Sequence, residues 1–165
     1  MQLRQVHPRA QAVTIAIGVL AIVSATAARA DYLQWSGNGH WYEAVYVEEG
    51  ITWEGARTAA ASTGGYLATI LSSEENTFAY NLVSEDKYWF WGGAGNGIGP
   101  WLGGYQDDDE NWLWVTGETW GYTNWGPSQP NNLSGTQDYL DFYGNNTLKS
   151  SKWNDHYNDA GGKGY

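Results

Sequence analysis

The spacing of apolar and polar positions along this 165-residue chain changes period several times, and each change marks an element. Residues 41–47 alternate, which predicts a strand with Trp41, Val45 and Val47 inward. Thr52 is a helix N-cap residue, and Trp53, Ala56 and Ala60 then recur on one face of a predicted helix over residues 53–62. Gly64-Gly65 stops that helix, because glycine enters the left-handed region without a Cβ clash. Residues 66–70 predict a short strand. Ser72 with Glu75 three positions on is a capping-box pattern that opens a second helix, with Phe78, Ala79 and Leu82 on its buried side.

After Lys87 the helical period is lost to glycine, asparagine and aromatics. Residues 92–100 read as a glycine-rich loop. Residues 101–105 and 112–115 predict strands flanking the acidic run Asp107-Asp108-Asp109-Glu110. Residues 139–142 and 152–153 predict short strands on either side of Gly144-Asn145-Asn146. A strand, two helices and then a loop-rich β half make the fold class α+β.

The first thirty residues obey a different pattern. Arg4 and Arg9 precede an apolar or small-residue run from Val13 to Thr26, and Ala28-Arg29-Ala30 offers an A-x-A cleavage site. Residues 1–30 are therefore expected to be a secretory signal, with one domain over 31–165 and a secreted, periplasmic or extracellular location. An uncleaved membrane anchor is the alternative, but the apolar run is short for a span and no stop-transfer segment follows.

Removing residues 1–30 takes away three basic residues and no acidic ones. Five basic and eighteen acidic residues remain, a net charge of −13. That surface repels nucleic acid and anionic lipid. The chain has no cysteine, which excludes thiol catalysis, zinc-thiolate sites and disulfides. All eleven tryptophans follow residue 30, and each ring can bury roughly 150–250 Å² in a core that must hold without covalent cross-links.

The candidate chemistry sits in the last third. Gln129-Pro130-Asn131 is followed by Gln137 and then by Trp153-Asn154-Asp155. Amide and carboxylate oxygens in this arrangement are the donors a hard cation takes. The same residues also suit a polar turn held by its own amides, with Trp153 in the core. Asp155 is the only carboxylate in the set.

Taken in order, the marks resemble the C-type lectin-like domain family over residues 38–165. They are Trp41-Tyr42, Ala56-Arg57, Gly64-Gly65-Tyr66-Leu67-Ala68, Ser72-Ser73-Glu74-Glu75-Asn76, Trp101-Leu102-Gly103-Gly104, Trp112, Asn124-Trp125, Gln129-Pro130-Asn131 and Trp153-Asn154-Asp155. The resemblance implies two helices packed on small antiparallel sheets with a long loop region. It is strongest to cysteine-free bacterial members, since Ala60, Tyr139 and Asn158 stand where others carry half-cystines. The family closes with a strand that pairs with the first one, whereas this sequence stops at Gly164-Tyr165. The resemblance therefore implies a fragment lacking its last strand, with residues 41–47 left as an unpaired edge.

The resemblance further implies a Ca2+ ion on Gln129, Asn131, Gln137, Asn154 and Asp155, with a cis bond before Pro130 and two sugar hydroxyls completing the shell. His156 and Tyr157 would then touch the sugar. A second, auxiliary ion would draw on Asp107 or Asp109 with Asn132 and Asp138. In the family Glu-Pro-Asn goes with mannose-type and Gln-Pro-Asp with galactose-type hydroxyls, and Gln129-Pro130-Asn131 is neither. The implied function is carbohydrate or glycoconjugate binding, with or without calcium assistance, and without catalysis; a calcium-independent protein or surface interaction domain is the alternative. The acids fall in no recognisable pair for glycosidase chemistry.

Overall fold

The computed structural model describes residues 2–6 (as backbone), 32–91, 96–145 and 148–159. Apart from residues 2–6, the expected leader lies outside these. Among the described residues no helix is long and apolar enough to cross a membrane.

Both helices form where their caps place them. Helix α1 runs Trp53–Ser62, its Thr52 side chain accepting from the Gly55 amide, and Trp53, Ala56 and Ala60 are buried. Helix α2 runs Ser73–Leu82 with Ser72 accepting from the Glu75 amide. Its buried face is more polar than predicted. Glu75 and Asn76 are buried beside Ala79, while Phe78 and Leu82 are half-buried at the edge of the core. The Glu75 carboxylate accepts from the Leu71 amide (2.7 Å), the Tyr42 hydroxyl (2.5 Å) and Asn38 Nδ2 (2.7 Å), which satisfies a charge the apolar surroundings would otherwise penalise.

The strands are β1 (Gln2–Val6), β2 (Leu33–Gln34), β3 (Trp41–Val45), β4 (Gly65–Leu67), β5 (Phe90–Trp91), β6 (Asn96–Gln106), β7 (Trp112–Trp114), β8 (Tyr139–Asn145) and β9 (Leu148–His156). They join in the order β2-β3-β1-β6-β8-β9, with β4 on β1 and both β5 and β7 on β6. The pairings are antiparallel except for a single parallel register between Gln2 and Trp101.

Three expectations are corrected here. In β3 it is Tyr42 that is fully buried, while Trp41 and Val45 are half-buried, so the inward parity is the opposite of the predicted one. The described part of 92–100 is strand: Ile98 pairs with Phe90 and with Tyr143. Finally, β3 is not an unpaired edge. Gln2–Val6 pairs with all five of its residues, and Leu33-Gln34 covers its other side.

The core is built from indoles. Trp53, Trp89, Trp101, Trp114 and Trp153 are all buried. Four of them donate to an internal oxygen: Trp53 to Leu102 O (2.7 Å), Trp89 to Val83 O (2.7 Å), Trp101 to Ile51 O (2.8 Å) and Trp153 to Asn76 Oδ1 (2.7 Å). The Trp153 ring is the hub, with Trp114, Trp120, Tyr122 and Trp125 centred 5.5–5.9 Å from it. This cluster seats the irregular segment 115–137 on β9.

Candidate functional site

The segment carrying Gln129-Pro130-Asn131 is clamped onto β9 at its start. Gly126 N donates to Trp153 O (2.8 Å) and Trp153 N to Asn124 O (2.9 Å). The Gln129-Pro130 bond is cis. Ser128, Asn132 and Ser134 then take positive φ (62°, 40° and 63°), a region that non-glycine residues occupy only when neighbours hold them there.

Two of the bonds that hold the loop end on Asp155. Strand β9 delivers its carboxylate beneath the loop with no solvent exposure. Oδ1 accepts from the Asn131 amide (3.1 Å) and Oδ2 from the Asn132 amide (2.6 Å). The next amide, Leu133 N, donates to Gln137 Oε1 (2.8 Å) and Asn131 Oδ1 (3.0 Å). Gln137 N returns a bond to Asn132 Oδ1 (3.1 Å). Asn131, Gln137 and Asp155 thus meet in one network, together with Asn132 and Leu133.

The other candidates stand outside this network. Asn154 Nδ2 donates to Asp141 Oδ1 (3.0 Å) across the β8–β9 ladder. Gln129 Oε1 is buried with no hydrogen-bond partner. His156 is buried against Trp101, ring centres 5.8 Å apart, so it is a packed residue rather than one free to grip a sugar. Tyr157 closes the loop from outside, its hydroxyl donating to Leu133 O (3.2 Å).

Asp141 is a residue near the motif that the sequence does not assign to the ligand set. It is fully buried and accepts from Asn154 and, at 3.3 Å, from Gly99 N. Burial pushes its carboxyl up to about 7, with Asp155 adding to the rise while His156 and the two donors oppose it. For His156, burial pulls the imidazole down, but Asp159 at 3.6 Å, Asp141 and Asp155 outweigh that and leave it above its ordinary value. An acid in the middle of the apolar strand Tyr139-Leu140-Asp141-Phe142 is the signal the sequence offers.

The donor set does not fit a calcium ion as it is arranged. Calcium takes about 6–8 oxygens, from carboxylates, carbonyls and water, and its affinity falls as the number of carboxylates falls. Here the one carboxylate offers both oxygens to loop amides and Gln137 offers its oxygen to a third, so an ion at these atoms would face the positive ends of N–H dipoles. Among the described residues no three Asp, Glu or His side chains lie close enough to share a metal. Two members of the auxiliary set are likewise engaged by amides. Asp107 Oδ1 accepts from the amides of Asp109 (3.0 Å) and Asn111 (2.8 Å) in its own turn, and Asn132 is used within the loop.

Comparison with known proteins places this architecture. The family profile "Lectin C-type domain" matches residues 49–160. Lectin BRA-3 of Megabalanus rosa is 32% identical over 127 residues, 74% of this chain and 69% of that protein. Ladderlectin of Oncorhynchus mykiss is 30% identical over 112 residues, 67% of this chain but only 54% of the relative's length. Among solved structures, the cow CD23 C-type carbohydrate-recognition domain, determined in the presence of a GlcNAc2Man3 oligosaccharide, superposes with a TM-score of 0.53 at 26% identity, covering 70% of this chain and 78% of that one. A calcium-independent type II antifreeze protein superposes with a TM-score of 0.53 at 25% identity, covering 70% and 76%. The chain belongs to the C-type lectin domain family. It is a lectin-like, carbohydrate-binding domain rather than an enzyme.

Proposed function

We propose that the loop from Gln129 to Gln137, backed by Asn154, is the carbohydrate-binding surface. The observation that carries this is Gln129 Oε1, which is buried beside cis-Pro130 with nothing to accept from. A buried amide oxygen without a donor costs about 1–3 kcal/mol, a cost that a ligand hydroxyl removes. Exposed Asn131 and Pro130 lie next to it, and an amide offers both a donor and an acceptor to a pair of vicinal hydroxyls. In the CD23 neighbour an oligosaccharide was present with the domain, which supports the same ligand class here.

The signal-like residues 1–30 support an exported protein acting on glycans outside the cell, and the absence of cysteine fits the bacterial-type resemblance. A bound Ca2+, as the family pattern implies, would have to work with one carboxylate. The antifreeze neighbour, which is calcium-independent, supports a form of this fold that works without it. Leu133, 60% exposed at the loop tip, favours a protein ligand as the second reading.

Glycan-array binding separates the two. The wild-type protein is expected to retain a defined set of glycans, and Gln129→Ala to lose them by at least about tenfold with a melting midpoint that is not lowered. Glycan binding that survives Gln129→Ala, or a wild-type protein that binds no glycan, would overturn the assignment.

A further inference from the structure

We infer that Asp155 holds the ligand loop closed in the place a cation would take, so that the loop is formed, and its ligand bound, without calcium. The ligand half of this rests on the carbohydrate reading above; the loop half does not.

Three consecutive amides turn toward the candidate ligand oxygens. Asn131 and Asn132 converge on the two oxygens of a single carboxylate, and Leu133 on the Gln137 and Asn131 amide oxygens. Successive N–H groups around a left-handed residue form a concave anion site, and Asn132 has that conformation. The anion in this site is the protein's own side chain. In a loop organised around a metal the ligand oxygens converge on the ion, and N–H groups support those oxygens from outside. Replacing the carboxylate's amide partners by an ion would leave the part-buried Asn131 N and Asn132 N without the acceptors they have here.

The residue types agree with the geometry. Glutamine at position 137 supplies a neutral oxygen that takes the Leu133 amide, and glutamine at both 129 and 137 leaves the set short of the ligand charge that tunes calcium affinity. Asn132 tolerates positive φ better than most residues, and its side chain ties the loop's two ends together by accepting from Gln137 N at 3.1 Å. The brace is therefore distributed over Asn131, Asn132, Gln137 and Asp155, with Asp155 as its only charge.

The test uses calcium alone before any sugar. Wild-type protein is melted in EDTA and in about 10 mM calcium, where a site of roughly 10⁻³ M would raise the midpoint by a few degrees. The expected shift is under about 1 °C. Asp155→Asn is then melted in both. As a brace, Asp155 is expected to matter equally in EDTA and in calcium, the variant melting several degrees lower in each. A calcium-dependent rise in the wild-type midpoint overturns the inference, as does an Asp155→Asn protein that matches wild type in EDTA. Should the variant not fold, the wild-type pair of melts decides alone. Glycan binding by the wild type is finally compared in EDTA and calcium. Equal binding supports calcium-free recognition, and binding abolished by EDTA overturns it. No glycan bound in either condition defeats the carbohydrate reading, while the melts still decide whether the loop forms without calcium.

Discussion

Two buried titratable side chains below the loop give the molecule a pH dependence with a definite sign. Asp141, raised from its ordinary value to about 7, is more easily protonated folded than unfolded. Its contribution to stability is complete below about pH 4 and is lost as pH rises through about 7. His156 is also raised, so its contribution too is present at lower pH and lost on the alkaline side of its ordinary value. The two act together between pH 5 and 8, and the melting midpoint is expected to rise as pH falls across that window. The Asp141 part amounts to a few kcal/mol at most. Asp141→Asn keeps an acceptor for Asn154 Nδ2 and cannot titrate, so it is expected to flatten most of the slope. A midpoint that falls on acidification from pH 8 to 5, or a slope unchanged in the variant, would show that burial at this position is not what sets the response. Neither the rise nor its cause is legible from sequence, because it depends on Asp141 lying opposite Asn154 in the β8–β9 register and on Gly99 approaching from β6.

At the scale of elements, the helices are legible in the sequence and the strands only partly so, for a physical reason. A helix start is a local event: Thr52 and Ser72 each bond an amide three residues on, and α1 begins and ends where the caps predict. Strand parity is decided at long range. Tyr42 turns inward because its hydroxyl meets Glu75, thirty-three positions away. Gly97 and Gly99, two of the glycines that make residues 92–100 look like a loop, belong to a strand that lies close to its neighbours. A Cβ at Gly103, further along the same strand, would stand 2.6 Å from Leu67 O. The least legible element is β1, since the residues of a leader's charged start also pair with β3, β4 and β6. These roles exclude one another, because cleavage after Ala30 would remove the strand that links β3 to the rest of the sheet. A chain beginning at residue 31 is therefore expected to melt lower than the full chain, with amides of residues 41–45 exchanging faster with solvent. Gln5→Pro in the full chain should act in the same direction, since proline cannot donate within a paired strand. Unchanged protection of residues 41–45 in both proteins would mean that β3 does not depend on β1.

Over the whole molecule, a domain without cysteine places its stability in indoles and in the oxygens they reach. Trp114 and Trp153 allow this to be measured, because they are neighbours in one cluster, both are buried, and only one of them has a partner for its indole N–H. Trp153 Nε1 donates to Asn76 Oδ1, while Trp114 Nε1 is buried with no partner. Either change to phenylalanine leaves a cavity and removes comparable apolar surface. Only Trp153→Phe also strands an acceptor inside the core, on a residue of α2 that is 2% exposed and whose Nδ2 is committed to Ser151 O. Trp153→Phe is thus expected to cost about 1–3 kcal/mol more than Trp114→Phe in urea unfolding. It should also weaken the ligand loop. Its backbone receives Gly126 N and donates to Asn124 O, and the two residues after it are Asn154 and Asp155. Because the same cluster reaches from Tyr42 in β3 to Trp153 in β9, loss of tertiary near-ultraviolet signal and of far-ultraviolet ellipticity should coincide in wild type and in both variants. Equal losses for the two substitutions would place the stability in ring packing alone, and separated transitions would show that the loop half melts independently of the helices.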